Sequence, residues 1–378
     1  FQNFTTNEPD DSMIECAIAA MKAVIPEAQH ENEEFDWQGD KCPRIPYHDC
    51  LCYCAHVRGF TKHPSSGVTH RGTFAGMAEK IGYLKVTGIT TVELQPVYEF
   101  TEMPTKEERH LMLGGGNAAH AASDADLDKL VPKKCNYWGY KLGYYYAPKS
   151  AYASGEDACA EFKEMVRTFH QNGMEVILQF YFPEEFNPML IPEILRFWVE
   201  EYQVDGFHLI GENLPGELLA MDPELADTKI WYYQMDPQKV YGKNRLPGKK
   251  TLGLLRDDFL YDARRFLKGE EGQIQGMMYH LRTLPPALGR IHYLSTYWGF
   301  TIMDMVSYDF KHNEANGEDN HDGTDYNCSW NCGEEGETKD PGILALRRRH
   351  FNLLLDCFRY ELLLNDRPML LMRADIPK

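Results

Sequence analysis

The sequence predicts an α/β protein, a (β/α)8 TIM barrel with a long insertion after the second strand region. Three observations predict it. Eight strand-like segments alternate with helical ones over 378 residues, a length within reach of one barrel carrying insertions. Segment 174–182 is almost continuously apolar, as a strand buried on both faces of a parallel sheet should be. The stretch Val204-Asp205-Gly206-Phe207-His208-Leu209-Ile210-Gly211-Glu212-Asn213 reads as a strand that delivers His208 and Ile210 to a C-terminal rim, where such barrels place their chemistry.

Residues 1–48 are polar and acidic and read as a lead-in segment, with a short helix at 14–22; the barrel domain is expected over 49–378. Strands are predicted at 50–57 and 90–97. Between them a helix follows Gly72-Thr73, with apolar Phe74, Met77, Ile81 and Leu84 at helical spacing. The insertion 99–135 is polar and rich in Gly and Ala, including Gly114-Gly115-Gly116, and suits surface loops. A helix at 157–172 carries Phe162, Met165, Val166 and Phe169 on one face and feeds the strand at 174–182. Then come a helix at 192–202, a strand at 206–210, a helix at 217–225 and a strand at 229–233. A weaker strand at 251–255 precedes helices at 262–268 and 274–281. A strand at 291–296, a long helix at 342–364 and a strand at 368–372 follow, and the barrel is expected to lack its closing helix.

The net charge of −18, from 39 basic and 57 acidic residues, repels phosphate backbones and anionic lipid, so neither nucleic acid nor membrane is an expected partner. No apolar run approaches a membrane span. The opening Phe1-Gln2-Asn3-Phe4-Thr5-Thr6 lacks the basic and apolar regions of a signal peptide, which points to a cytoplasmic location. Ten cysteines are too dilute for a disulfide scaffold and are expected as thiols. In Cys50-Leu51-Cys52-Tyr53-Cys54 a strand puts all three sulfurs on one face, which suits core packing better than a metal; Cys328 and Cys332 lack a second pair. No metal and no cofactor are expected. The aromatic fraction of 12% serves either a sugar-stacking surface or simply a large core.

Four segments carry a family likeness: His56-Val57-Arg58-Gly59-Phe60-Thr61-Lys62-His63, Glu93-Leu94-Gln95-Pro96-Val97-Tyr98-Glu99-Phe100, Asn136-Tyr137-Trp138-Gly139-Tyr140 and Lys311-His312-Asn313-Glu314-Ala315-Asn316-Gly317-Glu318. With Asp322-Gly323-Thr324 and Ser329-Trp330-Asn331-Cys332-Gly333 in the same order, the chain from 35 to 372 resembles the α-amylase superfamily, glycoside hydrolase family 13, in its glycogen-debranching, isoamylase and pullulanase branch. The resemblance implies a barrel with a long loop after its third strand, an α-1,6-glucan cleft, and residues 1–34 as the tail of an upstream β-sandwich.

Activity does not follow from membership, because function resides in particular residues. Retaining glycosidases need a carboxylate nucleophile and a protonated carboxyl about 5–5.5 Å apart. The resemblance places the nucleophilic aspartate at the end of the fourth strand, two residues after an arginine; here those positions hold Ile210 and His208. The general acid at the end of the fifth strand becomes Tyr233, beside Gln234. Tyrosines, titrating near about 10, are poor proton donors to a glycosidic oxygen at neutral pH. The third carboxylate and the histidine before it are replaced within Tyr297-Trp298-Gly299-Phe300-Thr301, and the aspartate and Asn-His region after the third strand becomes Gln179-Phe180-Tyr181-Phe182-Pro183-Glu184.

Losing one nucleophile typically costs many powers of ten in rate, and here the whole set is replaced together. The sequence therefore predicts a pseudoenzyme: a debranching-type barrel without hydrolysis and without catalytic residues at Ile210, Tyr233 or Trp298. Glucan binding is expected at Tyr137, Trp138, Tyr140, His208 and Trp298, with glycogen or starch oligosaccharides as partners. The alternative for those rings is that they fill the pocket and collapse it. Two further readings stand beside this one: an active α-1,6-glucan hydrolase using relocated carboxylates such as Glu184 and Glu212, with Glu185 and Asp236 also near the rim, and a regulatory or scaffolding partner of an active homologue.

Overall fold

The structure is a computed structural model, and it describes residues 35–104, 135–243, 245–283, 286–363 and 369–372. Two compact units divide the chain, Phe1–Gln38 and Gly39–Lys378. The helix expected at 14–22 and the Gly114-Gly115-Gly116 insertion lie outside the described residues.

In the larger unit, eight parallel strands close into a barrel. They are β1 (Leu51–Ala55), β2 (Thr91–Leu94), β5 (Glu175–Tyr181), β6 (Gly206–Ile210), β7 (Lys229–Tyr232), β8 (Leu252–Leu255), β9 (Gly289–Tyr293) and β10 (Met369–Met372). Each pairs with its neighbour in the order β1-β2-β5-β6-β7-β8-β9-β10, and β10 returns to β1 through Leu51 opposite Met369. All eight predicted strands are present. A separate antiparallel pair, β3 (Tyr98–Glu99) and β4 (Tyr144–Pro148), flanks the connection after β2.

The long connection is where composition placed it, between the second barrel strand β2 and the third, β5. The long loop that the resemblance put after the third strand is not there: only residues 182–190 separate β5 from helix α5 (Ile191–Tyr202). Phe182 ties that segment down by donating its N–H to the Ile210 carbonyl (2.8 Å), and its side chain is buried.

The helices follow from spacing and caps. Helices α1 (Val57–Thr61), α2 (Phe74–Glu79) and α3 (Ile81–Val86) precede β2. The single helix expected after Thr73 is split, because the Lys80 N–H bonds to the Met77 carbonyl at 3.1 Å and closes α2 with a tight turn. Its four predicted apolar positions are nevertheless all buried. Helix α4 (Ala158–Gln171) starts where Asp157 accepts the Ala160 N–H at 2.9 Å. Its Phe162, Met165, Val166 and Phe169 face the sheet, and Phe162 meets Trp198 of α5 edge to face at 5.4 Å, a contact worth about 0.5–1.5 kcal/mol. After these come α6 (Gly216–Met221), α7 (Pro237–Tyr241), α8 (Asp258–Lys268), α9 (Ile274–Arg282), α10 (Ile302–Met305) and α11 (Pro341–Leu363). No helix among the described residues is long and apolar enough to cross a membrane.

Inside the barrel, Cys52, Cys54, Ile177, Trp231, Leu255, Ile291 and Tyr293 pack into one core. Cys50, Cys52 and Cys54 are buried free thiols on that inward face, and burial raises all three. Gly253 makes room for Trp231: a Cβ there would come within 2.6 Å of Ile291 and 2.8 Å of the indole. Below this layer Lys229 and Glu175 form a buried ion pair. Glu175 also accepts from the Ile45 N–H (2.7 Å) and from Thr91 Oγ1 (3.1 Å). This pair, with the apolar layer above it, fills the lower half of the barrel interior.

Candidate functional site

Above the apolar layer the interior turns polar. Glu93 on β2 is fully buried, and its Oε1 accepts from Gln179 Nε2 (2.7 Å) and from His208 Nδ1 (2.5 Å). Gln179 Oε1 accepts the Tyr140 hydroxyl at 2.5 Å, and Gln95 Nε2 donates to that hydroxyl at 3.2 Å. Tyr140 lies stacked on Tyr297 (centroids 5.4 Å, 12° between planes). Burial raises both phenols, so their hydroxyls stay protonated. The chain Glu93, Gln179, Tyr140 and Tyr297 runs across the mouth of the barrel.

Over β5 to β8 the rim is open. A groove of about 1210 Å³ is lined by His208, Ile210, Glu212, Tyr233 and Trp298, among others. All three positions where the resemblance expects catalytic carboxylates therefore face one groove, held by Ile210, Tyr233 and Trp298. Ile210 is half-buried at the end of β6. Tyr233 is 48% exposed and meets Tyr232 edge to face at 4.5 Å. Trp298 stands perpendicular to Tyr297 at 4.6 Å. The rings of Tyr140 and Tyr297 pack on each other, and the groove is open from Ile210 to Trp298.

Tyr137 and Trp138 lie to one side, on a hollow of about 700 Å³ with His56, Phe60 and Tyr83. The Tyr137 ring stacks on His56 (4.2 Å, 11°), and Trp138, 41% exposed, meets Tyr137 edge to face at 5.1 Å. His56 Nδ1 accepts the Gly59 N–H (3.1 Å) while Nε2 donates to the Tyr137 carbonyl (2.8 Å), which fixes the neutral tautomer. Burial, with Arg58 adding to it, lowers His56 to about 4 despite the Tyr137 carbonyl and Glu102. A third hollow of about 520 Å³ joins Trp138, Tyr140 and Trp298 to Lys311, His312 and Asp322. An aromatic strip thus runs from Trp138 past Tyr297 (6.5 Å between centroids) to Trp298.

Among rim carboxylates, Glu184, Glu185 and Glu212 line the groove and are exposed. Asp236 is not on the groove wall; it caps α7 by accepting the Gln238 N–H at 2.9 Å. Two carboxylates escaped the sequence reading, Asp257 and Asp258 at the end of β8, which also line the groove. Asp257 accepts the Tyr293 hydroxyl. Asp258 accepts from Arg290 at 2.8 Å; burial works to raise this carboxyl, but Arg290, then His280 and Arg256, hold it below its ordinary value. The run Leu254-Leu255-Arg256-Asp257-Asp258 was the available signal, a weak strand ending in acids.

Residues 1–27 match a family model described as protein of unknown function (DUF1385). The glycogen operon protein GlgX homolog of Mycobacterium tuberculosis is 34% identical over 394 residues, covering 84% of this chain and 51% of that protein. Isoamylase 1, chloroplastic, of Oryza sativa subsp. japonica is 30% identical over 406 residues, covering 83% and 48%. Among solved structures, the pullulanase from Bacillus acidopullulyticus superposes with a TM-score of 0.51 at 20% identity, over 71% of this chain and 40% of that one, a likeness of fold. The chain spans about half the length of these curated relatives. Taken with the closed barrel and the ordered motifs around its rim, these likenesses show that the chain belongs to the α-amylase superfamily, glycoside hydrolase family 13, in the glycogen-debranching, isoamylase and pullulanase-like branch.

Proposed function

We propose that this barrel is a non-hydrolytic member of its glycosidase family that holds α-glucan along its aromatic rim. One observation carries the reading: the groove is open, yet the three positions that should supply nucleophile, acid and third carboxylate present Ile210, Tyr233 and Trp298 to it. An isoleucine cannot form a glycosyl ester, and a phenol at neutral pH is a weak general acid. The open volume and the indoles of Trp138 and Trp298 supply flat apolar faces of the kind that sugar rings stack on, and a relative named for the glycogen operon supports an α-glucan as the ligand class.

A competing reading keeps α-1,6-glucan hydrolysis, with Glu184 and Glu212 as acid and base, because both line the same groove. Both are exposed, whereas a carboxylic acid that stays protonated at neutral pH is typically sheltered in apolar surroundings. Affinity electrophoresis in glycogen-containing gels, run beside a reducing-end assay on the same preparation, tests the proposal. Retarded migration with no reducing ends above buffer is expected. Unretarded migration refutes the binding half, and released reducing ends refute the other.

A further inference from the structure

The base of the barrel, at the end opposite the groove, carries a cluster that glucan binding does not use. Cys42 lies on the segment leading to β1, His170 in the last turn of α4, and Asp205 immediately before β6. Cys42 Sγ, a ring nitrogen of His170 and a carboxylate oxygen of Asp205 all lie within 4.8 Å of one another. His170 and Asp205 are buried and Cys42 is half-buried. His170 Nε2 is 2.9 Å from Asp205 Oδ2, and Nδ1 is 2.5 Å from Asp40 Oδ2. The Cys42 thiol donates to the Gln203 carbonyl at 3.5 Å, and the Val176 N–H anchors Asp205 Oδ2 at 2.7 Å. A second, independent observation points to a missing partner: Asp205 Oδ1 is buried and accepts no hydrogen bond among the described residues.

We propose that Cys42, His170 and Asp205 form a site for a soft divalent cation of the zinc class, which pins the segment around Cys42 to the base of the barrel. Thiolate, imidazole and carboxylate are the donors such a cation takes. Asp40 on Nδ1 completes the carboxylate, histidine and metal arrangement that fixes the ring and leaves Nε2 to the cation. With bonds of about 2.0–2.3 Å, tetrahedral ligand atoms sit about 3.3–3.8 Å apart, so the cluster closes on a cation with shifts of about 1 Å or less. Water, or the second Asp205 oxygen, takes the fourth position.

The His170 imidazole lies between the Asp40 and Asp205 carboxylates. Burial lowers His170, but Asp205 and Asp40 outweigh burial and raise it above the usual histidine value. The Cys42 thiol is pushed up to about 12, by burial first and then by Asp205 and Asp40. Those same negative charges draw a cation in.

The test uses the full chain, stripped with chelator and re-equilibrated with Zn²⁺ or Co²⁺. The expected result is one zinc per chain by elemental analysis after gel filtration. The cobalt form should show tetrahedral d–d bands and a thiolate-to-cobalt charge-transfer band. Cys42→Ser abolishes the charge-transfer band and weakens zinc binding at least about tenfold, as does His170→Gln. Cys135→Ser, at an exposed free cysteine, changes neither. Circular dichroism checks the fold of each variant; if His170→Gln does not fold, Cys42→Ser at its half-buried position decides. Absence of stoichiometric metal in the wild-type chain, or a charge-transfer band unchanged in Cys42→Ser, overturns the site.

Discussion

His208 Nδ1 lies 2.5 Å from Glu93 Oε1 inside the barrel mouth, while Glu93 Oε2 is buried with no hydrogen-bond partner among the described residues. The resemblance places an arginine where His208 stands. A guanidinium fork can donate to both oxygens of a carboxylate, whereas an imidazole nitrogen donates to one. The orphaned oxygen is what a shortened donor would leave behind, and it lies at the rim where the resemblance places the catalytic acids.

Removing one of the two side-chain donors to Glu93 is costly. His208→Ala leaves Glu93 with Gln179 alone and is expected to lower unfolding free energy by about 2–4 kcal/mol in urea titration. Glu93→Gln combined with His208→Ala should cost less than the two single changes summed, since the amide carries no charge to strand. Equal, purely additive losses would show that the pair is not coupled.

His56 gives the aromatic strip a pH dependence. Its folded value of about 4 lies below the ordinary value of 6.5. Between those two pH values the unfolded chain takes up a proton that the folded chain refuses. Stability is therefore full above about pH 6.5 and is lost as pH falls toward about 4, by about 2 kcal/mol at pH 5. His56→Asn should flatten that part of the thermal-midpoint profile. Glycogen retardation should also weaken on acidification, because protonation removes the Nδ1 acceptor that holds Gly59 and with it the ring on which Tyr137 stacks.

Trp138 and Trp298 are the two indoles of the aromatic strip, each with surface left for a sugar. Each change to alanine is expected to weaken glycogen or maltooligosaccharide binding by about 1–2 kcal/mol, roughly 5–30-fold in Kd. Trp138→Ala should leave the thermal midpoint nearly unchanged, since the side chain is 41% exposed. Tyr140→Phe should behave in the opposite way. It removes the hydroxyl from Gln179 and Gln95, so stability falls by about 1 kcal/mol, while its ring face is already covered by Tyr297.

On the proposed reading, placing one acid at the rim is not expected to confer hydrolysis. Ile210→Asp puts a carboxylate at the end of β6 but leaves Tyr233 and Trp298 in place, so no reducing ends should appear from pullulan. Binding is expected to hold within about 2-fold, because a half-buried rim carboxylate is mostly solvated.

Much of this molecule was legible in its sequence because the signals were local. The strand at β5 announced itself by a nearly continuous apolar run, and α4 by its spacing of Phe162, Met165, Val166 and Phe169. The barrel rim could be located because alternation fixes which side chains of β6 face inward, so His208 and Ile210 were placed together correctly on the groove. What could not be read was long-range pairing. Asp40, His170 and Asp205 are separated by 130 and 35 residues along the chain, and nothing in their neighbours signals that they meet. Asp257 and Asp258 were missed because β8 is short and carries Gly253, which weakens a strand pattern while making room for Trp231. Helix α8 begins at Asp258, ahead of the predicted start at 262, because Phe259 and Leu260 belong to its buried face. Whether the groove was open or filled depended on how Tyr140 and Tyr297 stack, a three-dimensional fact that composition could not decide.

The most direct test of the account is a reducing-end assay with purified protein at high concentration on pullulan, amylopectin and glycogen, over a long incubation at neutral pH. With Ile210, Tyr233 and Trp298 where the resemblance places the catalytic carboxylates, the account predicts no product above the buffer control. Release of linear maltooligosaccharides that disappears in Glu184→Gln or Glu212→Gln would contradict it and establish a relocated pair of catalytic carboxylates.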